Sequence, residues 1–328
     1  MGTKYNPIAA PIAAEQLQLQ VPLECAGLRL DRALQQLLPQ YSRSRMQAWI
    51  KEGAIQIDGR AATPSRTVWA GEQISVIVTP SASEMPYAPQ AMDLAVVFED
   101  DALLVLNKPP GLVVHPGNGN SDRTLLNALL ERNPGAIELP RAGIVHRLDK
   151  DTSGLMVVAK TLIAHTDLVR QLQARSVTRQ YLAIVEGRVA KDGKVEAPIG
   201  RHPVQRVKMA VVGGGKPAVT HYRIIERLAH CTLLECRLET GRTHQIRVHL
   251  QSLGHPLLGD PVYGTKRRGT AVASALSAAS FERQALHAAR LSLIHPVSRS
   301  PVSWEQAMPE DMSALLTHLR RTGVANAV

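Results

Sequence analysis

One stretch constrains this chain more than any other. Gly143-Ile144-Val145-His146-Arg147-Leu148-Asp149-Lys150-Asp151-Thr152-Ser153-Gly154 runs without a break into the apolar segment Leu155 to Ala159. The apolar segment is short, continuous and partly β-branched, the pattern of a buried strand. The loop ahead of it gathers two carboxylates, two cations and a His around a turn ending in Ser-Gly. Loops carry chemistry when a rigid strand positions them, so Asp149 is expected on a stiff edge beside Arg147. Two other readings of these residues fail on spacing. Asp149, Asp151, Ser153 and Gly154 match the opening of an EF-hand, but its twelfth position is Lys160, where a bidentate Glu is required, and a strand replaces the exiting helix. The phosphorylated Asp of ion pumps needs Asp-Lys-Thr-Gly-Thr, whereas Asp151 follows Lys150 here. An ordinary surface turn with an ion pair is the plainest reading, and other parts of the chain argue against it.

Leu238-Glu239-Thr240-Gly241-Arg242-Thr243-His244-Gln245-Ile246-Arg247-Val248-His249-Leu250 is the second dense motif. Ile246, Leu250 and Leu253 share a helical face, Thr243 is a candidate N-cap, and Arg242 falls between strand end and helix start. His244 and His249 are five apart, not the i, i+4 of a zinc helix, and no nearby Cys completes a tetrahedron, so no metal is expected. Leu106-Asn107-Lys108-Pro109-Pro110-Gly111 leads to His115-Pro116-Gly117-Asn118-Gly119, but Asp122 replaces the third Gly of a dinucleotide fingerprint. No cofactor is expected. Tyr181 lies in an alternating strand, where a lone Tyr is most simply core packing.

From Leu94 onward the pattern is strand-rich, with runs at 95–98, 103–106, 155–159, 180–186, 219–226 and 232–239, and helices near 124–131, 161–175 and 243–253. That is an α+β plan with a large, mixed, mostly antiparallel sheet. Residues 264–284, with Lys266-Arg267-Arg268 and a run of small residues, read as a mobile basic loop. Upstream, residues 27–79 make a self-contained unit. Asp31 is a candidate cap for a helix carrying Leu34, Leu37 and Leu38, and Pro39 ends it. Ser42 or Ser44 caps a second helix bearing Met46, Trp49 and Ile50, and Gly53 stops it. A strand at 54–57, a turn at Asp58-Gly59 and a strand at 73–78 follow. Arg43, Arg45 and Lys51 lie on or beside the second helix. The domain plan is a flexible tail at 1–15, a small helix-and-strand unit at 16–80, a Pro-bearing linker at 81–93 and a larger strand-rich domain at 94–328.

Lys and Arg number 38 against 28 Asp and Glu, a net charge of +10. That balance asks for an acidic partner, nucleic acid first. No segment approaches the ~18 apolar residues of a spanning helix, so no membrane is expected. Aromatics are only 3% of the chain, too few for a base-stacking platform. The three Cys form no C-x-x-C pair, and Cys231 and Cys236 fit a buried strand. Pro7, Pro11 and Glu15 break any leader-like apolar core. A cytoplasmic monomer is expected.

The string H-R-L-D-K-D-T-S-G resembles the active-site motif of the RluA family of pseudouridine synthases, and the resemblance runs from about residue 27 to about residue 312. The set L-R-L-D-R-A-L, S-R-S-R, I-K-E-G-A-I-Q-I-D-G-R and G-E-Q-I resembles the S4 (α-L) RNA-binding domain. The resemblance implies a synthase that isomerises uridines of large-subunit ribosomal RNA, in a stem-loop at the subunit interface, with no cofactor. A paralogous synthase acting on other ribosomal or transfer RNA, or a non-catalytic assembly factor, are the alternatives. It also implies Asp149 as the essential residue, Arg147 as the side chain that fills the space of a flipped uridine, and Tyr181 as the active-site Tyr. Arg242 is implied as the partner of Asp149, with Lys108, His115 and His244 facing substrate. Asp149 has three possible roles: attack at C1′, attack at C6, or removal of the C2′ proton. Tyr181 has two, stacking on the base or late proton removal.

Overall fold

The computed structural model describes residues 15–39, 43–78, 87–117, 119–205, 208–265 and 270–324. The chain forms two compact units, divided between Pro86 and Tyr87. Residues 1–14 of the expected tail at 1–15, residues 79–80 at the end of the expected first domain, and residues 81–86 of the expected linker at 81–93 lie outside the described residues.

The first unit contains β1 (Glu15–Gln20), α1 (Leu30–Leu37), α2 (Arg43–Lys51), β2 (Ile55–Ile57), β3 (Arg60–Ala61) and β4 (Gln73–Val78), with sheet order β1-β4-β2-β3. Leu30, Leu34, Met46, Trp49, Ile55, Ile57, Ile74 and Val76 form one buried cluster between helices and sheet. The β2–β3 turn places Asp58 and Gly59 at φ 49° and 75°, the left-handed pair that Asp-Gly favours. Asp31 is not the cap of α1. It sits inside the first turn, buried, and accepts a hydrogen bond from Arg29 Nε at 3.2 Å. Arg43 and Arg45 fall in the first turn of α2, but their side chains lie outside the described residues. Lys51 is exposed at the other end of that helix.

The second unit contains β5 (Val96–Glu99), β6 (Leu103–Lys108), α3 (Leu125–Arg132), β7 (Ser153–Ala159), α4 (Leu162–Gln173), β8 (Thr178–Glu186), β9 (Gly193–Glu196), β10 (Ile199–Arg201), β11 (Met209–Val211), β12 (Val219–Arg227), β13 (Cys231–Leu238), α5 (Gln245–Ser252), α6 (Thr270–Ala278), β14 (Leu286–Ile294), β15 (Pro301–Glu305) and α7 (Glu310–Val324). A nine-stranded sheet runs β5-β6-β7-β14-β8-β13-β12-β9, with β15 paired to β14. Every pairing is antiparallel except β14 with β7. Both faces of its middle are covered. Leu104, Leu106, Met156 and Val158 enter one core cluster, and Leu103, Val105, Leu155 and Val157 enter another. The period-two alternation of a strand therefore buries consecutive residues, and the run at 155–159 is continuous for that reason.

Residues expected in the linker begin the second unit. Tyr87 packs on its core, Asn127 Nδ2 donates to Ala88 O at 2.9 Å, and Gln90 Oε1 accepts from Arg123 N at 2.6 Å. The expected mobile loop at 264–284 is corrected over 270–278, which is helix α6; its Val272, Ala275 and Leu276 pack against Met312 and Leu316 of α7. Lys266, Arg267 and Arg268 lie outside the described residues. No helix among the described residues is long and apolar enough to cross a membrane.

Candidate active site

The loop before β7 is pinned to that strand as it approaches. Ile144 bridges Val158, and His146 Nε2 accepts from Val157 N at 3.1 Å. Leu148 enters the core, and Thr152 N donates to Asp149 O at 3.1 Å. Two glycines make the close approach possible. Gly143 (φ 83°) lies against the Ala159 carbonyl and Gly154 (φ 112°) against the backbone of Ala288, so a Cβ at either would overlap main chain. From below, Lys108 fixes the turn. Its Nζ donates to Pro109 O at 2.8 Å, Leu112 O at 3.0 Å and Lys150 O at 2.8 Å. Asp149 is thus held by backbone on both sides.

Its carboxylate is held by Arg247. Nη1 of Arg247 donates to Asp149 Oδ2 at 3.0 Å. The opposite edge of the guanidinium makes a bidentate pair with Asp260, Nε to Oδ2 at 2.8 Å and Nη2 to Oδ1 at 2.9 Å. Asp260 Oδ1 also accepts from Val262 N and Tyr263 N, each at 2.9 Å, so its own turn fixes it. Burial opposes the charge of Arg247, but the hydrogen bonds and charge of Asp260, then those of Asp149, raise its pKa above the ordinary value. The Tyr263 ring lies 5.0 Å from the Arg247 carbon, and its hydroxyl is 2.8 Å from His244 Nδ1. The other nitrogen of His244 is 4.0 Å from Asp149 Oδ1.

Around this cluster opens a cavity of about 590 Å³, within the range of small-molecule sites. Asp149, Tyr181, His115, Arg147, Arg242 and His244 all line it, so six of the residues singled out from the sequence meet in one place. Tyr181 is buried, and burial raises its phenol, with Arg179 opposing the rise and Asp149 adding to it. Burial, then Arg141 and Arg147, pull His115 down to about 4. Burial also lowers His244, against the pull of Asp149. Arg147 is exposed and has no ion pair among the described residues.

Three expectations need correction. The arginine that pairs with Asp149 is Arg247, not Arg242. Helix α5 begins at Gln245, so Arg247 sits in its buried first turn, while Arg242 stays in the exposed connection and donates from Nε to Pro217 O at 3.1 Å. Lys108 does not reach the cavity wall. It is fully buried, with its ammonium spent on three carbonyls; burial draws it down to about 7, against Asp151 and Asp149. Thr243 does not cap α5. His244 occupies the cap position at φ 56°, and the Gln245 side chain accepts from Arg242 N at 2.9 Å. His249 uses both ring nitrogens, on Thr220 Oγ1 and Ala197 O. Among the described residues, no three His, Cys, Asp or Glu side chains gather as a metal ion would need.

Sequence reading missed Arg247, Asp260 and Tyr263. Arg247 stood inside a motif already singled out. Asp260, in Gly259-Asp260-Pro261, reads as a turn, and nothing in its spacing links it to residue 149.

Residues 102–252 match the RNA pseudouridylate synthase family, and residues 28–74 match the S4 domain. The ribosomal large subunit pseudouridine synthase D of Nitrosomonas europaea is 56% identical over 304 residues, covering 93% of this chain and 88% of the relative. Its namesake from Pseudomonas aeruginosa is 52% identical over 309 residues, covering 93% and 96%. The solved structure of human RNA pseudouridylate synthase domain containing 4 aligns with TM-score 0.54 at 26% identity, over 69% of this chain and 93% of that one. With relatives this similar matched along nearly their whole length, the chain belongs to the RNA pseudouridylate synthase family, as a pseudouridine synthase that carries an S4 domain ahead of its catalytic unit.

Proposed function

We propose that this enzyme isomerises uridines of large-subunit ribosomal RNA in the cytoplasm, with Asp149 as the catalytic carboxylate. The observation that carries the reading is the Asp260–Arg247–Asp149 bridge at the wall of a cavity of about 590 Å³. The RNA class rests on the relatives, both ribosomal large subunit pseudouridine synthases D. The reaction breaks N1–C1′, turns the base and forms C5–C1′. The proton leaving C5 is matched by one gained at N1, so no redox step or group donor is needed. Asp149 acts at the sugar–base junction, oriented by Arg247. A phenol raised by burial stays protonated near neutrality, which favours Tyr181 packing on the base over removing a proton.

A uridine must leave its stack to reach Asp149, at a cost of a few kcal/mol. Arg147, exposed and without an ion pair among the described residues, suits the vacated place. His115 and His244, both lowered, offer neutral ring nitrogens to the base. Arg242 at the wall, and Arg43, Arg45 and Lys51 of the first unit, supply phosphate contacts.

The test is to map pseudouridines in ribosomal RNA from a strain lacking this protein. Specific large-subunit positions should revert to uridine. Wild type should restore them, and Asp149→Asn should not. An unchanged pseudouridine pattern would overturn the reading.

A further inference from the structure

Arg179 and Tyr181 alternate onto the same face of β8, and both line the cavity. Tyr181 has a role in the reading above; Arg179 does not. It is only 7% exposed, its Nε has no hydrogen-bond partner, and it has no ion pair among the described residues. The nearby carboxylates are engaged elsewhere. Glu239 is held by Arg175 at 3.0 Å and His221 at 2.6 Å, and Asp149 by Arg247 at 3.0 Å. Gly241 makes room for the guanidinium, since a Cβ there would stand 2.9 Å from Arg179 Nη1.

A guanidinium does not deprotonate in a protein, and a buried charge without a counter-charge is costly. Such a group at a cavity wall is a site prepared for an anion. A nucleotide of RNA has one anionic group, the phosphodiester, because uracil and ribose are neutral. The planar fork of Arg matches two phosphate oxygens.

We infer that Arg179 binds the phosphodiester adjoining the flipped uridine, inside the cavity and beside Tyr181. It serves as the anchor that sets the depth of the nucleotide against Asp149. The inference rests on the synthase reading above. Its rival is an effect through charge alone, because Arg179 also acts on Tyr181 and His146.

Full-length wild type, Arg179→Gln and Arg179→Lys separate the two. In the first arm, thermal unfolding is followed as inorganic phosphate replaces chloride at constant ionic strength. Without phosphate, Arg179→Gln should be at least as stable as wild type, because it removes an unpaired buried charge. Phosphate should raise the wild-type midpoint more than that of Arg179→Gln. A less stable Arg179→Gln that responds to phosphate as wild type does would make Arg179 a structural residue and overturn the proposal. In the second arm, Kd for a transcript of large-subunit ribosomal RNA is measured across a salt series, together with the saturating single-turnover rate of its conversion. Arg179→Gln should weaken binding roughly ten- to a hundredfold and lower the salt slope by about 0.7 to 0.9, and Arg179→Lys should restore the slope. An unchanged slope with a depressed rate would assign Arg179 to Tyr181 instead, and the proposal would fall. If wild type itself neither binds nor converts the transcript, the ribosomal RNA reading fails, and the phosphate arm still decides the anion site.

Discussion

Asp260→Asn tests whether the arginine bridge sets the geometry of Asp149. The two side chains are 5% and 0% exposed, so the pair is out of water. Asn keeps an oxygen for Val262 N and Tyr263 N. Its amide nitrogen, however, would then meet the Nε–H of Arg247, donor against donor. Breaking a buried ion pair from one side costs about 3–5 kcal/mol. Asp149 still offsets part of the Arg247 charge, so the expected loss is about 2–4 kcal/mol, a large part of the ~5–15 kcal/mol of an ordinary domain. Urea unfolding should show a lower midpoint with an unchanged slope. Single-turnover conversion should fall by tenfold or more, since a displacement of about 1 Å can cost about a hundredfold. A stability loss below ~1 kcal/mol, with a rate within threefold of wild type, would refute the claim that Asp260 positions the site.

Four further outcomes are expected. Asp149→Asn should abolish single-turnover conversion while leaving the unfolding midpoint and RNA affinity nearly unchanged; activity within tenfold of wild type would remove Asp149 from the chemistry. Replacing Arg43, Arg45 and Lys51 together by Gln should lower the salt slope of RNA binding by roughly two to three, with saturating single-turnover rates preserved; an unchanged slope would mean these residues do not touch phosphate. Gly154→Ala should prevent normal folding, read by circular dichroism, because the new Cβ has no space against Ala288 at φ 112°. Stability should fall as pH drops from about 6.5 toward 4. His146 and His115 are held down at about 3 and about 4 chiefly by burial, so the unfolded chain binds more protons throughout that window. A flat stability profile between pH 6.5 and 4.5 would contradict this.

The parts legible in sequence were those set by local periodicity. The buried run at 155–159 announced β7, and Thr124 and Thr161 stand at the caps of α3 and α4. β14 was not legible. Leu286-His287-Ala288-Ala289-Arg290 mixes small, polar and charged residues, yet the strand lies in mid-sheet, where neighbours rather than propensity decide. At the site, the motif around 238–250 signalled function but not which arginine serves it. Arg242 and Arg247 differ only in where α5 begins, and helix ends are the least legible boundaries. Lys108 is expected to face substrate only through the family resemblance, which sets its segment at the border of the active site. That three backbone carbonyls converge on it depends on the tertiary path of residues 109–112 and 150.

The parallel seam between β7 and β14 also governs when the site can exist. Ser153 and Gly154 of β7 register with His287 and Ala288, well over a hundred residues later in the chain. Pairings of such wide sequence separation are slow to close, because the loop entropy precedes the reward. A nascent chain can zip β6 onto β7 earlier, since β6 precedes β7 and their connection, through α3, is far shorter than that from β7 to β14. The other flank of β7 stays open until β14 has left the ribosome. Asp149 therefore has no settled cavity during most of synthesis, and competence to modify RNA arrives nearly with the last strand.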